Sequence, residues 1–176
     1  MNLQDVGSIG ELVGAVATVG TLVYLAIQVR RNTQALQASS VQNMLDGPRD
    51  RIVAPTIQNR EVADIHARGL SSFEDLDETE QTRFTFLLIE HVVQFENVKN
   101  LHQRRLVTDE NYATWLIYVG AFIRTPGGSV AWPQVANVVD KGAAKALETH
   151  LQENPDLPSL LQLMPVMDKR KNEGSA

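Results

Sequence analysis

The amino-acid sequence predicts an all-α protein with a single N-terminal transmembrane helix that continues into a small helical bundle domain. Two observations support this fold class. One apolar stretch near the N-terminus is long enough to cross a bilayer, and the segments after it repeat their apolar residues at helical spacing. The sequence contains no alternating strand pattern and no internal repeat.

The apolar stretch covers residues 9–29, which is 21 residues. A helix rises about 1.5 Å per residue, so about 20 residues cross the hydrocarbon core of a bilayer. Within the strict core of residues 12–27, only glycines and the threonines Thr18 and Thr21 interrupt the apolar run. Threonine hydroxyls can hydrogen-bond to the preceding helical turn, which lowers the free energy of placing them in lipid. Residues 9–29 are therefore the predicted transmembrane helix.

The flanking charges predict the orientation of this helix. Arg30 and Arg31 follow the apolar stretch directly, whereas the preceding side carries Asp5 and Glu11 and no basic residue. Basic residues next to a membrane helix stay in the cytoplasm. We therefore expect the N-terminus outside a bacterial inner membrane and everything after Arg30 in the cytoplasm.

Two alternatives to a membrane anchor stay open. A cleaved signal peptide would have a basic leader and a shorter apolar core, whereas this leader is acidic and the apolar stretch is long. A buried helix of a water-soluble bundle is compatible with a strict run of 16 apolar residues. However, the run is apolar on all sides and ends in adjacent charges, which favours lipid.

Small residues recur along one side of the predicted membrane helix. Gly10 and Gly14 form a GxxxG pattern, and Thr18 continues the same face. Small side chains let a second helix approach closely in lipid. Because glycine is common in membrane helices in general, a dedicated packing face and an incidental pattern are both compatible with the sequence.

Composition excludes several classes of function. The formal charge is −5, and because Asp5 and Glu11 contribute two negative charges, the segment from Arg30 onward carries −3. A mildly acidic domain without a basic stripe argues against nucleic acid as a partner. The chain has no cysteine, which excludes disulfides, thiolate metal sites and thiol nucleophiles.

Capping and breaking residues divide the chain into a membrane anchor (1–31), a cytoplasmic helical domain (32–168) and a polar tail (169–176). The first helix is expected to continue to Leu45 and to end at Gly47-Pro48. Asp77 and Glu80 resemble an N-terminal capping pair. The helices expected after the break span residues 49–53, 55–68 and 78–103.

The C-terminal half is expected to contain shorter helices. Thr108 or Asp109 is expected to cap a helix that ends near Arg124. The segment Pro126-Gly127-Gly128 is interpreted as a chain break, after which Ser129 starts a short helix. Further helical segments are expected at residues 140–152 and 160–167.

No catalytic, cofactor-binding or metal-binding residues are predicted. Glu90 and His91 are adjacent and point about 100° apart on a helix, so they do not form a helical metal site. We interpret Glu90, Gln94 and Asn97 as a polar stripe that is either solvated or bonded to a neighbouring helix. The acidic loop at residues 74–80 lacks the spacing of a calcium-binding loop. The Gly127-Gly128-Ser129 segment lacks the lysine of a phosphate-binding loop.

Two aromatic residues and one basic segment remain as candidates for binding. Trp115 and Trp132 are either core anchors or part of a partner surface, where large aromatic side chains carry much of the binding energy. The tail contains Lys169, Arg170 and Lys171, which either contact anionic headgroups or are solvated.

The chain also resembles a known group of proteins. Three segments carry this resemblance. The first is residues 7–40, which read GSIGELVGAVATVGTLVYLAIQVRRNTQALQAS followed by a second serine. The others are FENV at 95–98 and the TPGG…W segment that ends at Trp132. The group consists of uncharacterised bacterial proteins with one membrane helix and a small helical domain. Members often have a second aromatic residue where this chain has Pro133. The resemblance implies the topology and fold and supplies no functional site.

Our expectation about function is based on two features: a predicted membrane anchor and a sequence without a recognisable reaction site. We expect a non-enzymatic, single-pass accessory protein without a cofactor, whose partners are the lipid bilayer and the helices of a larger membrane complex, for example an energy-converting one. The alternative is a membrane-tethered sensor or a stress or phage-defence effector. An enzyme that uses the Glu90 and His91 region is the third hypothesis.

Overall fold

The computed structural model describes the backbone of residues 3–168 and the side chains at 11, 13–40, 42, 43, 46, 47, 51–54, 56 and 58–168. Within this part of the chain all regular structure is helical, as the sequence predicts: eight α-helices, one π-helical turn and one 3-10 turn. The predicted tail and its three basic residues lie outside the described residues.

Helix α1 spans Leu3–Pro48 without interruption, so the expectation of a single long N-terminal helix is confirmed. The chain divides into two compact units between Ser39 and Ser40. The boundary predicted after Arg31 marks the expected edge of the membrane and not a division between compact units, so it stays a prediction.

A π-helical turn at Arg49–Val53 follows α1 and leads into α2 (Ala54–Gln58) and α3 (Arg60–Ser71). The prediction of one helix from Pro55 to Arg68 was therefore wrong. Asn59 interrupts it, because its side-chain oxygen accepts hydrogen bonds from the backbone N–H groups of Glu61 and Val62 at 2.9 and 3.3 Å. This N-cap separates α2 from α3.

Helix α4 spans Glu78–Gln103, the range predicted from the sequence. Its capping box is also as expected. The Asp77 carboxylate accepts a hydrogen bond from the Glu80 N–H at 2.9 Å, and the Glu80 carboxylate accepts one from the Asp77 N–H at 3.1 Å. The Arg68 guanidinium binds both Glu80 and Asp64 and so ties the end of α3 to the start of α4.

The C-terminal half contains α5 (Asp109–Ile123), α6 (Pro126–Val138), α7 (Lys141–Glu153), the short α8 (Leu160–Leu163) and a 3-10 turn at Pro165–Met167. Of the two caps that the sequence allows, Thr108 caps α5, because its hydroxyl accepts a hydrogen bond from the Asn111 N–H at 3.2 Å, and Asp109 is the first helical residue.

The interpretation of Pro126-Gly127-Gly128 as a chain break was wrong. Thr125 is the N-cap of α6, Pro126 is its first residue, and both glycines lie buried in its first turn. The reason is a close helix–helix approach: a Cβ atom on Gly127 would lie 1.6 Å from the backbone oxygen of Gly69 in α3. Glycine is needed here because two backbones meet, and Ser129 does not restart the chain.

Helix α4 lies at the centre of the second unit and contacts α3, α5, α6 and α7. The largest fully buried apolar side chains come from α3, α4, α5, α6 and α7: Ile65, Leu70, Phe84, Leu88, Val92, Phe95, Val98, Val119, Phe122, Val135 and Leu147.

Candidate functional site

Helix α1 carries the one segment, within the described residues, that is long and apolar enough to cross a membrane. This segment, Val13–Ser40, has a mean hydropathy of 1.5 in its most apolar window, and none of that window is buried by protein. The Thr18 and Thr21 hydroxyls donate to the carbonyl oxygens of Gly14 and Ala17, each at 2.8 Å. Both hydroxyls are thus satisfied within the helix, as the sequence predicts for threonine in lipid.

The predicted helix-packing face is open in the single chain. Gly10, Gly14 and Thr18 are four residues apart and share one side of α1. Nothing lies within 4 Å of a Cβ atom placed on Gly14, and Thr18 is exposed. Gly10 belongs to α1 but lies outside the described side chains.

The residues expected to set the topology follow directly. Arg30 and Arg31 lie in α1 and are exposed. Six residues before Arg30, the Tyr24 hydroxyl accepts a hydrogen bond from the Gln28 amide at 2.8 Å. Aromatic residues with a polar end are enriched at the membrane–water interface.

Trp115 and Trp132 lie on different helices, α5 and α6, and both are half-buried against the core. The Trp115 ring meets the Tyr118 ring edge to face, with centroids 5.7 Å apart. Together with Ile52 and Val53, these two rings line an open apolar cleft of about 370 Å³. Each tryptophan therefore serves as a core anchor, and Trp115 also presents an apolar surface.

A buried cluster of aromatic and titratable side chains joins three helices. His66 of α3 and His91 of α4 stack with parallel rings whose centroids are 6.3 Å apart, and Phe122 of α5 contacts both. The His91 Nε2 atom lies 3.0 Å from the Tyr118 hydroxyl, and its Nδ1 lies 2.6 Å from the Leu87 carbonyl oxygen. The His66 Nε2 atom is buried and has no hydrogen-bond partner in the part of the chain that the structure describes.

Burial keeps this cluster uncharged at neutral pH. Loss of solvation lowers the pKa of His66 from 6.5 to about 4. It also lowers the pKa of His91 to about 4, although the bond to Leu87 acts in the opposite direction. Burial raises the pKa of Tyr118. Because both His91 nitrogens are occupied by protein groups, its ring has no open position for a ligand.

Sequence reasoning missed this cluster, although a signal for His91 was present. His91 is three residues after Leu88 and four before Phe95, so it belongs to the buried stripe of α4. Its polar side chain is atypical of a core position, which hides this signal in the sequence. His66 has no comparable signal beyond its neighbour Ile65, and no local pattern indicates that Tyr118 reaches His91.

The polar stripe on α4 is partly solvated and partly packed. The Glu90 carboxylate forms an ion pair with Arg51 at 3.9 Å, too long for a hydrogen bond. Gln94 is buried, whereas Asn97 is exposed. Glu90 and His91 face different surroundings, as their spacing predicts.

The described residues therefore offer an open apolar helix, an apolar cleft beside Trp115 and a closed histidine cluster. The first two are surfaces for binding, and the third is a packing element. No protein-family model, no curated protein and no solved structure matches the chain.

Proposed function

We propose that this chain is a single-pass accessory protein of a bacterial inner membrane that binds or caps a larger membrane complex. It acts by binding and not by catalysis. An energy-converting complex is the class of partner that we favour. The uncharacterised bacterial group that the sequence resembles fits this proposal, because its members share the single anchor and small helical domain.

One observation carries the proposal: α1 presents a long apolar surface that the chain does not cover. Its large apolar side chains from Val13 to Val29 are 47–66% exposed. An apolar surface of this length needs lipid or other apolar helices around it. Lipid around most of α1, with a partner helix on the face formed by Gly10, Gly14 and Thr18, satisfies this requirement.

The orientation is part of the same proposal. Arg30 and Arg31 stay on the cytoplasmic side, so the N-terminus lies outside and the domain after α1 lies in the cytoplasm. There the apolar cleft at Trp115 adds a second contact to the partner. Trp132 lies on α6, outside the lining of that cleft, and is the other candidate for a partner surface. Large aromatic side chains in such clefts contribute strongly to binding.

Native gels of membranes solubilised in mild detergent test this function. We expect the chain to migrate with a larger complex and the Gly14→Leu variant to lose this association. Gly20→Leu is the matched control, because Gly20 is equally open but lies about 120° away around the helix. Migration of the unmodified chain as a lone monomer would overturn the proposal.

A second candidate is a membrane-tethered sensor or a stress or phage-defence effector. It is favoured by the π-helical turn Arg49–Val53 directly after α1, because π-helical turns are frequent at functional sites. Deletion of the gene followed by phage challenge distinguishes the effector from the accessory protein. Increased sensitivity to phage would support the effector, and unchanged sensitivity would support the accessory protein.

A further inference from the structure

A further apolar cleft lies between α3 and α4, within the second unit of the chain. Its volume is about 300 Å³. The residues that line this α3–α4 cleft are Val62 and Ile65 of α3 and Arg83, Phe86, Leu87 and Glu90 of α4. Phe86 is 63% exposed, whereas the other four phenylalanines of the chain are buried. A large exposed aromatic side chain beside an apolar cleft is typical of a protein–protein interface.

The α4 side of this cleft carries a pattern that matches its own reverse. Arg83 and Glu90 lie at equal distances before and after the midpoint between Phe86 and Leu87. The four residues share one face of α4, because they fall within about 100° around the helix axis. If an identical helix packs antiparallel on this face, each Arg83 meets a Glu90 and each Phe86 meets a Leu87. The face is therefore complementary to a second copy of itself in both charge and apolar character.

Glu90 is incompletely paired within the single chain. Its Oε2 atom is buried and has no hydrogen-bond partner among the described residues, and its ion pair with Arg51 is 3.9 Å long. A partly buried carboxylate loses hydration, and this raises its free energy unless other groups compensate. A second guanidinium beside the Glu90 carboxylate would supply this compensation through a charge-assisted contact.

We propose that the α3–α4 cleft is the interface of a homodimer, in which two copies pack α4 antiparallel about a two-fold axis between Phe86 and Leu87. Each Phe86 ring is covered by the partner's Leu87 and by the apolar lining of the partner's cleft. The carboxylate of Glu90 receives the guanidinium of the partner's Arg83. This dimer goes beyond the proposed function, because it requires no other protein.

Four charges alternate in sign at each edge of this interface. Arg83 keeps its ion pair with Glu61 and gains the partner's Glu90, which itself keeps Arg51 of its own chain. The contact therefore brings no like charges together. Because the two-fold axis repeats each contact, one substitution in the chain changes two contacts in the dimer.

Analytical ultracentrifugation of the purified full chain in density-matched detergent micelles measures the dimer. We expect the unmodified chain to sediment as a dimer that dissociates on dilution. Arg83→Glu and Glu90→Arg should each raise the Kd of the dimer about 100-fold, because each variant places two like-charged pairs in the interface. An equimolar mixture of the two variants should dimerise again, since both opposite-charge pairs are restored only in the mixed dimer.

Further variants separate the interface from the folding of the chain. Phe86→Ala should raise the Kd about 100-fold without loss of helix content by circular dichroism, because the ring is exposed in the single chain. Val138→Ala at the end of α6 is the apolar control, since Val138 is equally exposed. Arg104→Glu at the end of α4 is the charge control, since Arg104 is exposed and lies outside the cleft. Neither control should change the Kd.

Three outcomes would overturn the inference. The unmodified chain could sediment as a monomer at every concentration, which would leave the cleft to a different partner. A dimer could survive each charge reversal, which would place the contact elsewhere, for example at Gly14 on α1. The mixture of the two variants could also stay monomeric. Because this experiment uses the purified chain alone, the dimer can fail while native gels still show a larger complex, and it can form when they do not.

Discussion

The Nε2 atom of His91 in α4 lies 3.0 Å from the hydroxyl oxygen of Tyr118 in α5. This bond joins two helices of the second unit and gives His91 a partner on each ring nitrogen, since Nδ1 bonds to the Leu87 carbonyl. The neighbouring His66 is also buried, but its Nε2 atom has no hydrogen-bond partner among the described residues. Replacement of His91 and replacement of His66 should therefore have different effects on the stability of the domain.

We expect His91→Leu to destabilise the domain by about 1–3 kcal/mol, because the Tyr118 hydroxyl is left buried without its partner. His66→Leu should be neutral or stabilising, since an unpaired buried nitrogen is replaced by an apolar side chain. Urea unfolding of the full chain in micelles, followed by tryptophan fluorescence, measures both. Trp115 and Trp132 are the only tryptophans, and both lie in the domain. An equal decrease in the free energy of unfolding for the two variants would contradict this account.

The same histidines make stability depend on pH. Burial lowers the pKa of each from 6.5 to about 4 in the folded chain, so the unfolded chain binds protons first as the pH falls. The free energy of unfolding therefore keeps its full value above pH 6.5. It decreases as the pH falls from 6.5 towards 4, by about 3 kcal/mol for each histidine.

Urea midpoints measured across this pH range test the expectation. The double variant His66→Leu/His91→Leu should have a flatter dependence between pH 6.5 and 4 than the unmodified chain. An equally steep loss in both proteins would assign the effect to other groups, such as the carboxylates.

The contact of Gly127 with Gly69 leads to a third expectation. A methyl group at Gly127 would overlap the Gly69 backbone oxygen, so α6 cannot stay in place beside α3. Gly127→Ala should destabilise the domain by about 3 kcal/mol or more. Gly142→Ala in α7 is the matched control, because its nearest neighbour is the flexible end of Lys99, and it should change stability by less than about 1 kcal/mol. Similar urea midpoints for the two variants would contradict the close approach.

Local signals explain which parts of the fold could be predicted. The capping pair Asp77 and Glu80 and the apolar period after it give the bounds of α4, and Thr108 gives the start of α5. These features depend on residues within one or two turns of each other. The cap at Asn59 is equally local, but Pro55 four residues earlier also matches a helix start, and the sequence analysis placed the start of the helix there.

Non-local contacts explain what could not be predicted. Pro126, Gly127 and Gly128 resemble a turn in isolation, and only the approach of α3 explains why a helix begins there with two glycines. Likewise, the burial of Gln94 depends on Gly47, which is far away in sequence. The roles of Gly14, Thr18 and the arginine pair depend on lipid and partners, and they stay predictions.

Orientation can be measured with introduced thiols, because the chain has no cysteine of its own. The variants Asn2→Cys and Ser39→Cys lie on opposite sides of the apolar segment. A membrane-impermeant maleimide should label Asn2→Cys in cells with an intact inner membrane, and Ser39→Cys only after that membrane is permeabilised. The reverse pattern would contradict the role given to Arg30 and Arg31. Charge reversal of both arginines to glutamate should reduce the fraction in the expected orientation.

Fractionation of cells broken without detergent tests the central claim, that lipid surrounds α1, most directly. The account expects the unmodified, full-length chain in the membrane pellet, where it stays after an alkaline carbonate wash and is released by detergent. Recovery of the full-length chain in the soluble fraction would contradict it.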